Sequence, residues 1–169
     1  MKLQADFFSR DVLLVAPQLL GKKLIRVFDK GEKKEFIITE TEAYRGEEDL
    51  ACHASKGRTP RIEIMYGEPG SVYVYLIYGM YWMLNFVTEK AEIPQAVLIR
   101  GLEGINGPGR VSKALQLDKS FYAEDIFTSS RIWIEDTDID VEYTTGPRIG
   151  IDYSGDIWKN KPWRFVLDK

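Results

Sequence analysis

The chain has 169 residues, of which 44% are hydrophobic, 12% aromatic and 29% charged. This composition suits one folded domain and is too apolar for an intrinsically disordered chain. No segment has the ~18 consecutive apolar residues of a membrane helix, and no signal peptide is visible. One cysteine, Cys52, and one histidine, His53, exclude an internal disulfide and a zinc site of the usual nitrogen and sulfur ligands. A carboxylate site for a hard cation remains open from composition alone, and we expect a reduced, cytoplasmic protein.

The charge is unevenly distributed along the chain. Its net value is −3 and the isoelectric point is about 5.3, whereas proteins that bind nucleic acid usually present a basic surface. Eight acidic and two basic residues fall between Asp118 and Glu142, a net of −6, which leaves +3 for the rest. The net charge therefore does not exclude a nucleic-acid partner.

The first half of the sequence predicts a short helix, a hairpin and a long loop. The helix is expected to begin at a serine or aspartate cap near Asp11, to be kinked or split by Pro17 and to end at Gly21. Alternating apolar residues predict two strands, over residues 23–28 and 35–42. The polar segment that follows, from Arg45 to Gly70, is rich in glycine and proline, which predicts a functional loop with one helical turn.

The second half of the sequence predicts mainly strands, several of them joined by short turns. This pattern favours an α+β fold, a single domain with a mainly antiparallel, curved β-sheet, a protruding β-hairpin and a few flanking helices. The predicted elements are strands at residues 71–77, 82–88 and 95–100, a helix from Gly107 to about Leu117, and strands at residues 131–135, 147–151 and 163–167.

Two carboxylates, Glu40 and Glu42, stand near the end of the second strand. Side chains two residues apart on a strand share one face and lie about 7 Å apart. The same alternation would put Ile38 on that face, and an apolar neighbour can raise the pKa of a carboxyl group into the range of acid–base catalysis. Two other interpretations are solvent-exposed acids at a strand end and the separated carboxylates of an inverting glycoside hydrolase.

Tyrosines are concentrated in the predicted β-hairpin. Tyr73 and Tyr75 share a strand face, either as a stacking platform for bases or sugars or as an ordinary half-buried β-surface. Tyr78 precedes Gly79 at the expected tip, where a wedge that enters another molecule explains the ring better than packing does. Asn85 interrupts an apolar strand and needs a partner, either the neighbouring backbone or a ligand. If Tyr75 and Asn85 line one pocket, the turn must contain an odd number of residues or a bulge.

Longer motifs occur in a fixed order along the chain. They are Glu-Thr-Glu-Ala-Tyr at residues 40–44, His53, Pro-Gly-Ser-Val-Tyr-Val-Tyr-Leu-Ile-Tyr-Gly-Met-Tyr at 69–81, Asn85, Val-Leu-Ile-Arg at 97–100, Gly-Pro-Gly-Arg at 107–110, Pro-Arg-Ile-Gly at 147–150 and Lys-Pro-Trp-Arg-Phe at 161–165. In this order they resemble the alkyladenine (3-methyladenine) DNA glycosylase family. The resemblance extends from about Asp6 to Leu167, so we interpret residues 1–169 as a single DNA glycosylase domain.

The resemblance implies an enzyme that removes alkylated or deaminated purines from duplex DNA, among them 3-methyladenine, 7-methylguanine, hypoxanthine and ethenoadenine. It would bind damaged DNA through the minor groove, flip the nucleotide out, hydrolyse the N-glycosidic bond with water and leave an abasic site. The resemblance implies no metal and no organic cofactor. We expect a monomer without a membrane partner that lies with the DNA, in the nucleoid if the cell is bacterial or archaeal. A non-catalytic module that binds DNA lesions is the alternative.

The resemblance also implies roles for individual residues. Glu42 matches the general base that activates water, and Arg100 matches a pocket residue near Glu42 and the sugar-phosphate. Tyr78 matches the wedge that fills the vacated position in the duplex. Asn85 would exclude the 2-amino group of normal guanine from the pocket. The residues that match the base pocket are Tyr44, His53, Tyr75 and Asn85.

Basic residues near these motifs are candidates for contacts with the DNA backbone. We expect them to share one face with the pocket, together with the basic residues near the end of the chain. In the loop of residues 58–66, Ile62 and Glu63 depart from the family pattern. The candidates are Lys56, Arg58, Arg61, Arg110 and Lys113.

Overall fold

Nine strands, all paired antiparallel, form the framework of the protein in a computed structural model that describes residues 1–169. The strands are Lys23–Val27 (β1), Lys33–Arg45 (β2), Val72–Ile77 (β3), Tyr81–Thr88 (β4), Gln95–Leu102 (β5), Ile105–Asn106 (β6), Ile132–Glu135 (β7), Tyr143–Gly146 (β8) and Arg164–Leu167 (β9). The α-helices are Ala5–Phe8 (α1), Val12–Gln18 (α2), Pro108–Ala114 (α3) and Asp156–Lys159 (α4), and 3₁₀ helices span His53–Lys56, Pro60–Tyr66, Lys119–Phe121 and Asp152–Ser154.

Strand β2 is the longest, with 13 residues, and it joins the two halves of the sheet. Its first part pairs with β1, and its second part pairs with β5 and β9. The main path through the sheet runs β3-β4-β5-β2-β1-β7, with β6 beside β5 and β8 beside β9. The prediction of an α+β fold with a mainly antiparallel sheet and a few flanking helices is confirmed.

The register of β2 shifts between Ile38 and Thr41, and this shift decides which side chains face the core. Ile38 is fully buried in the main hydrophobic core, as is Ala43. Glu42 lies on the opposite face of the strand. The expectation that Ile38 shares the face of Glu42 is therefore wrong, because the irregularity breaks the strict alternation on which it depended.

Helix α2 covers the core face of the sheet. The carboxylate of Asp11 accepts a hydrogen bond from the N–H of Leu13 at 3.0 Å, so the predicted aspartate cap is confirmed. The helix ends one residue after Pro17 rather than at Gly21. Pro17 lies in the last turn, where it lacks the N–H that would donate to the carbonyl oxygen of Leu13, and the helix is not split there. Helix α3, which also packs on the core, is shorter than predicted.

The hairpin of β3 and β4 turns through three residues, because Ile77 pairs with Tyr81. The predicted odd-residue turn is confirmed. In this register Tyr75 pairs with Met83 and Tyr73 with Asn85, so all four side chains project from the same face of the sheet. The hairpin thereby delivers two tyrosines and an amide to one face, opposite the main hydrophobic core, where Tyr73 belongs to a second, smaller buried cluster.

Residues 147–151 form no strand, and the strand in this region is β8, which ends at Gly146. Pro147 has no N–H for a sheet ladder, and the N–H of Ile149 binds the side chain of Glu42 instead. The polar loop after β2 also differs, since it contains two 3₁₀ helices rather than one helical turn. None of the helices has the length and apolar character that a membrane crossing requires.

Candidate active site

A cavity of about 350 Å³ opens on the face of the sheet opposite the core. Strands β2 to β5 supply its floor, the first 3₁₀ helix and the hairpin tip supply two walls, and the segment from Ile149 to Tyr153 supplies another. Most of the lining side chains are apolar or aromatic. The predicted site residues that border it are Tyr44, His53, Tyr75, Tyr78, Asn85 and Arg100.

Glu42 lies directly behind the cavity wall and has no exposed surface. Its Oε1 accepts a hydrogen bond from the hydroxyl of Tyr44 at 2.7 Å, and its Oε2 accepts one from the N–H of Ile149 at 2.7 Å. The Nε of Arg100 is 3.8 Å from Oε2. All three of these partners border the cavity. The carboxylate is therefore separated from the cavity only by the residues that contact it.

Burial raises the pKa of Glu42 above the ordinary value for glutamate. The positive charge of Arg100 opposes this rise, as do the hydrogen bonds from Ile149 and Tyr44 and the charge of Arg148. A raised pKa was expected from an apolar neighbour, but the cause is burial of the whole side chain. The carboxyl group thus combines a raised proton affinity with donors that favour its charged form.

Glu40 is partly exposed and is bound by two arginines. Its Oε2 accepts hydrogen bonds from the Nε of Arg100 at 3.0 Å and from the Nη1 of Arg164 at 3.3 Å. The interpretation as an inverting glycoside hydrolase requires two carboxylates that flank one bound sugar. Neither Glu40 nor Glu42 borders the cavity, so the two carboxylates do not flank the space in which a sugar would bind, which argues against that interpretation.

Three aromatic rings form a connected wall of the cavity. The Nδ1 of His53 is 2.7 Å from the hydroxyl of Tyr73, and the ring of His53 meets that of Tyr75 edge to face, with centroids 4.6 Å apart. Tyr73 and Tyr75 are tilted neighbours with centroids 5.4 Å apart. Burial raises the pKa of both phenols, so they remain protonated donors.

The imidazole of His53 is expected to remain neutral at physiological pH. Burial lowers its pKa to about 4, and the nearby charges of Arg61 and Lys56 act in the same direction. Because His53 is the only histidine of the chain, its ring proton resonances can be followed without assignment in an NMR titration. We expect no transition between pH 8 and 5 and a midpoint near 4; a midpoint at the ordinary value of about 6.5 would contradict this environment.

The lowered pKa of His53 also has a consequence for stability. Below about pH 6.5 the unfolded chain binds a proton that the folded protein accepts only near pH 4. The free energy of unfolding therefore contains the full contribution of the neutral ring above pH 6.5, and this contribution is lost as the pH falls from 6.5 towards 4.

Asn85 has the backbone partners that were one of its two expected roles, and it also borders the cavity. Its Nδ2 donates to the carbonyl oxygen of Tyr73 at 3.2 Å and more weakly to that of Met83 at 3.4 Å. The side chain is buried and also borders the cavity. The backbone contacts hold the amide against the floor of the cavity, where it limits the space available to a bound molecule.

Tyr78 projects from the hairpin tip beside the cavity mouth. It is 89% exposed and has a positive φ of 54°, followed by Gly79 with a φ of 66°. A positive φ is uncommon for a large residue other than glycine. Met80 at the same tip is also exposed. The hairpin therefore presents apolar side chains to the surroundings at the edge of the cavity.

The basic candidates differ in their surroundings. Lys56 lies 6.0 Å from the ring of Tyr153, and Arg61 lies 5.7 Å from the ring of Tyr75, and both rings border the cavity. Arg58 instead forms ion pairs with Glu63 and Glu92. Two further candidates are exposed on α3, which begins with a residue of the cavity lining, Pro108; they are Arg110 and Lys113.

The Pro-Arg-Ile-Gly motif at residues 147–150 makes site contacts that were not predicted from the sequence. Ile149 provides the backbone donor to Glu42. Arg148 forms a fully buried ion pair with Asp49, with Nη1 to Oδ2 at 2.6 Å. The sequence signal that could have indicated a buried ion pair was an arginine between the apolar residues Pro147 and Ile149. No group of three or more His, Cys, Asp or Glu side chains is arranged to hold a metal ion.

Comparison with known proteins identifies the family. The sequence model of the Methylpurine-DNA glycosylase (MPG) family matches residues 6–106 and 103–169. Three relatives carry the provisional name 3-methyladenine DNA glycosylase. The one from Desulfitobacterium hafniense (strain Y51) is 40% identical over 99% of this chain and 95% of its own length. The one from Methanocella arvoryzae is 43% identical over 96% of this chain and 90% of its own length. The one from Legionella pneumophila (strain Corby) is 45% identical over 98% of this chain and 94% of its own length.

These matches cover nearly the whole chain at substantial identity. The resemblance noted in the sequence motifs is confirmed. The chain therefore belongs to the methylpurine-DNA glycosylase family and is a DNA-repair enzyme of base excision repair that hydrolyses the bond between a base and its sugar.

Proposed function

We propose that this glycosylase flips an alkylated or deaminated purine out of duplex DNA, holds it in the cavity and hydrolyses its N-glycosidic bond with a water molecule activated by Glu42. The observation that carries the proposal is a buried carboxylate directly behind an aromatic-walled cavity of about 350 Å³. The substrates are 3-methyladenine, 7-methylguanine, hypoxanthine and ethenoadenine. The enzyme acts as a monomer and approaches the minor groove.

Extrusion of the nucleotide is supported by the hairpin tip. A base inside a duplex is stacked on both faces, and its removal costs a few kcal/mol. The exposed ring of Tyr78 lies at the mouth of the cavity, where it can take the place of the lost base in the stack. Basic residues near the mouth, Lys56 and Arg61 among them, neutralise phosphates on either side.

Recognition of the base is supported by the cavity wall. Alkylated purines are electron-poor and often cationic, and such rings stack favourably on the electron-rich faces of tyrosines such as Tyr44 and Tyr75. The neutral ring of His53 does not repel a cationic base. Asn85 borders the floor of the cavity, where it excludes the additional 2-amino group of guanine and so disfavours an undamaged base.

Hydrolysis is supported by the surroundings of Glu42. The damaged base leaves with the electron pair of the N-glycosidic bond while the oxygen of water bonds to C1′ of the sugar, and the proton of water passes to the carboxylate. Each oxygen of Glu42 has one protein donor and retains a lone pair for water. Because Glu42 has no exposed surface without DNA, a cavity-side partner must shift to admit the water as the nucleotide binds.

Four duplexes, each with one of the proposed lesions in one strand, test this function together with an undamaged duplex. We expect free base and an alkali-sensitive abasic site from the lesion duplexes under single-turnover conditions, and neither product from the undamaged duplex. Tight lesion binding without base release would favour the non-catalytic lesion-binding module instead.

Tyr78→Ala tests the wedge. Base–aromatic stacking contributes about 1–3 kcal/mol, so we expect the single-turnover rate of base release to fall by about 10- to 100-fold. Tyr78→Phe retains the ring and is the matched control, with a rate close to that of the wild type. Equal rates for the alanine and phenylalanine variants would exclude a stacking role for this side chain.

A further inference from the structure

We propose that Arg148, held by Asp49, is a positioning residue for Glu42. The buried pair fixes the segment from Pro147 to Ile151 and the ring of Tyr44, and these two elements supply the hydrogen-bond donors of the Glu42 carboxylate. This inference rests on the proposed role of Glu42 as the general base. It assigns a task to the arginine of a motif whose Ile149 and Gly150 already border the cavity.

The pair is completely enclosed. Both side chains have 0% exposure, and the contact is bidentate, with Nη1 2.6 Å from Oδ2 and Nη2 2.9 Å from Oδ1 of Asp49. Asp49 also accepts hydrogen bonds from the backbone N–H groups of Arg45 and Ala51, both at 3.0 Å. Burial of two charges carries a large desolvation penalty, and an apolar pair of similar volume is often equally stable. Stability alone therefore does not account for the pair.

Arg148 connects β2 and the loop after it with the segment around Trp158. Asp49 belongs to the loop after β2. The Nη1 of Arg148 donates to the carbonyl oxygen of Ala43, on β2 between Glu42 and Tyr44, at 3.0 Å. Its Nη2 donates to the carbonyl oxygen of Trp158 at 3.3 Å. The guanidinium thus fixes β2 relative to the cavity wall that runs from Ile149 to Tyr153.

Both donors of Glu42 are adjacent to Arg148. Ile149 is the next residue in the chain, and its N–H binds Oε2 of Glu42. On the other side, the guanidinium carbon lies 5.0 Å from the ring centroid of Tyr44, whose hydroxyl binds Oε1 of Glu42. The ring of Trp163 lies at the same distance, 5.0 Å, from the guanidinium. A displacement of Arg148 therefore alters both hydrogen bonds that orient the carboxylate.

A double variant, Arg148→Met/Asp49→Asn, removes the pair without leaving an uncompensated charge. We expect its maximal single-turnover rate of hypoxanthine release to fall by about 10- to 100-fold, because small displacements of a catalytic group have effects of this size. We expect DNA affinity to change little. Arg148→Lys retains the charge but not the bidentate contact, and its rate should be intermediate.

The pH profile separates positioning from a merely structural role. The loss of two donors favours the protonated form of Glu42, as does the loss of the Arg148 charge, so the acid limb of the rate profile should move to higher pH. Arg148→Lys keeps the charge, so a movement in that variant reports the donors alone. A structural role would lower the melting temperature and the active fraction without this movement. The ionisable groups that face Glu42 are Tyr44, Tyr75, Arg100, Arg148 and Tyr153, and Glu40 binds Arg100.

Arg131→Met/Glu124→Gln is the matched control, because Arg131 and Glu124 form another multidentate pair, outside the cavity lining. We expect this variant to keep the wild-type pH profile. A folded Arg148→Met/Asp49→Asn protein with the wild-type rate and acid limb would overturn the inference. If that variant does not fold, an unchanged acid limb in Arg148→Lys would overturn it equally. Glu42→Gln is measured alongside, and base release by Glu42→Gln at the wild-type rate would refute the role of Glu42 on which this inference rests.

Discussion

Replacement of Glu42 by glutamine is expected to slow base release by about 10²- to 10⁴-fold, the usual contribution of a general base. The side chains have nearly the same shape, so the cavity and its affinity for lesion DNA should be retained. The amide cannot accept the proton of the attacking water. Single-turnover release of hypoxanthine measures the effect, and fluorescence anisotropy measures the DNA affinity of the same preparation.

Glu40→Gln is the matched control for this prediction. Glu40 lies two residues away, is partly exposed where Glu42 is fully buried, and binds Arg100 and Arg164. We expect a much smaller loss of rate than for Glu42→Gln. Equal losses in the two variants would restore the two-carboxylate mechanism, and unchanged release by Glu42→Gln would remove this residue from the chemistry.

The pH dependence of the wild-type rate follows from the same carboxylate. Glu42 acts in its charged form, so the rate falls as the pH falls through its folded-state pKa. Burial raises that pKa, and the acid limb should therefore lie at higher pH than for an exposed glutamate. His53 does not contribute a limb near neutral pH, because its pKa is lowered to about 4.

Asp49→Ala is expected to destabilise the protein by about 3–5 kcal/mol, since it leaves the fully buried charge of Arg148 without its partner. That is a large share of the about 5–15 kcal/mol by which domains are usually stable. Urea denaturation monitored by tryptophan fluorescence measures the loss.

Two further variants sharpen this stability prediction. Addition of Arg148→Met to Asp49→Ala removes the unpaired charge, so the double variant should be more stable than Asp49→Ala alone. Glu124→Ala breaks a pair that is partly exposed and should destabilise less than Asp49→Ala. If Asp49→Ala were no less stable than Glu124→Ala, the loss of a partner charge would cost no more at the buried pair than at the partly exposed one, and the prediction would be wrong.

The strands were predictable from sequence because their pattern is local. Alternation identified β1, β2 and the β3–β4 hairpin, and the requirement that Tyr75 and Asn85 share a pocket predicted the odd-residue turn. The bulge that turns Ile38 away from Glu42 depends on the pairing of β2 with β5, and alternation carries no information about such pairing. The strand expected at residues 147–151 is absent because the N–H of Ile149 binds Glu42, 107 residues earlier in the chain.

The candidate site was predictable where single residues matched family motifs and not where residues act through distant partners. The six predicted residues around the cavity came from such motifs. The Arg148–Asp49 pair joins positions 99 residues apart, and no local spacing indicates it. The burial of Glu42 behind its partners likewise follows from tertiary packing and not from the composition of β2.

A crystal structure of the Glu42→Gln variant bound to a duplex with one hypoxanthine tests the central claim most directly. We expect the hypoxanthine in the cavity against Tyr75 and His53, the ring of Tyr78 in the vacated position of the duplex, and a water between the substituted side chain and C1′ of the sugar. A hypoxanthine still stacked in the duplex, with the cavity unoccupied in a complex seated on this face, would contradict the account.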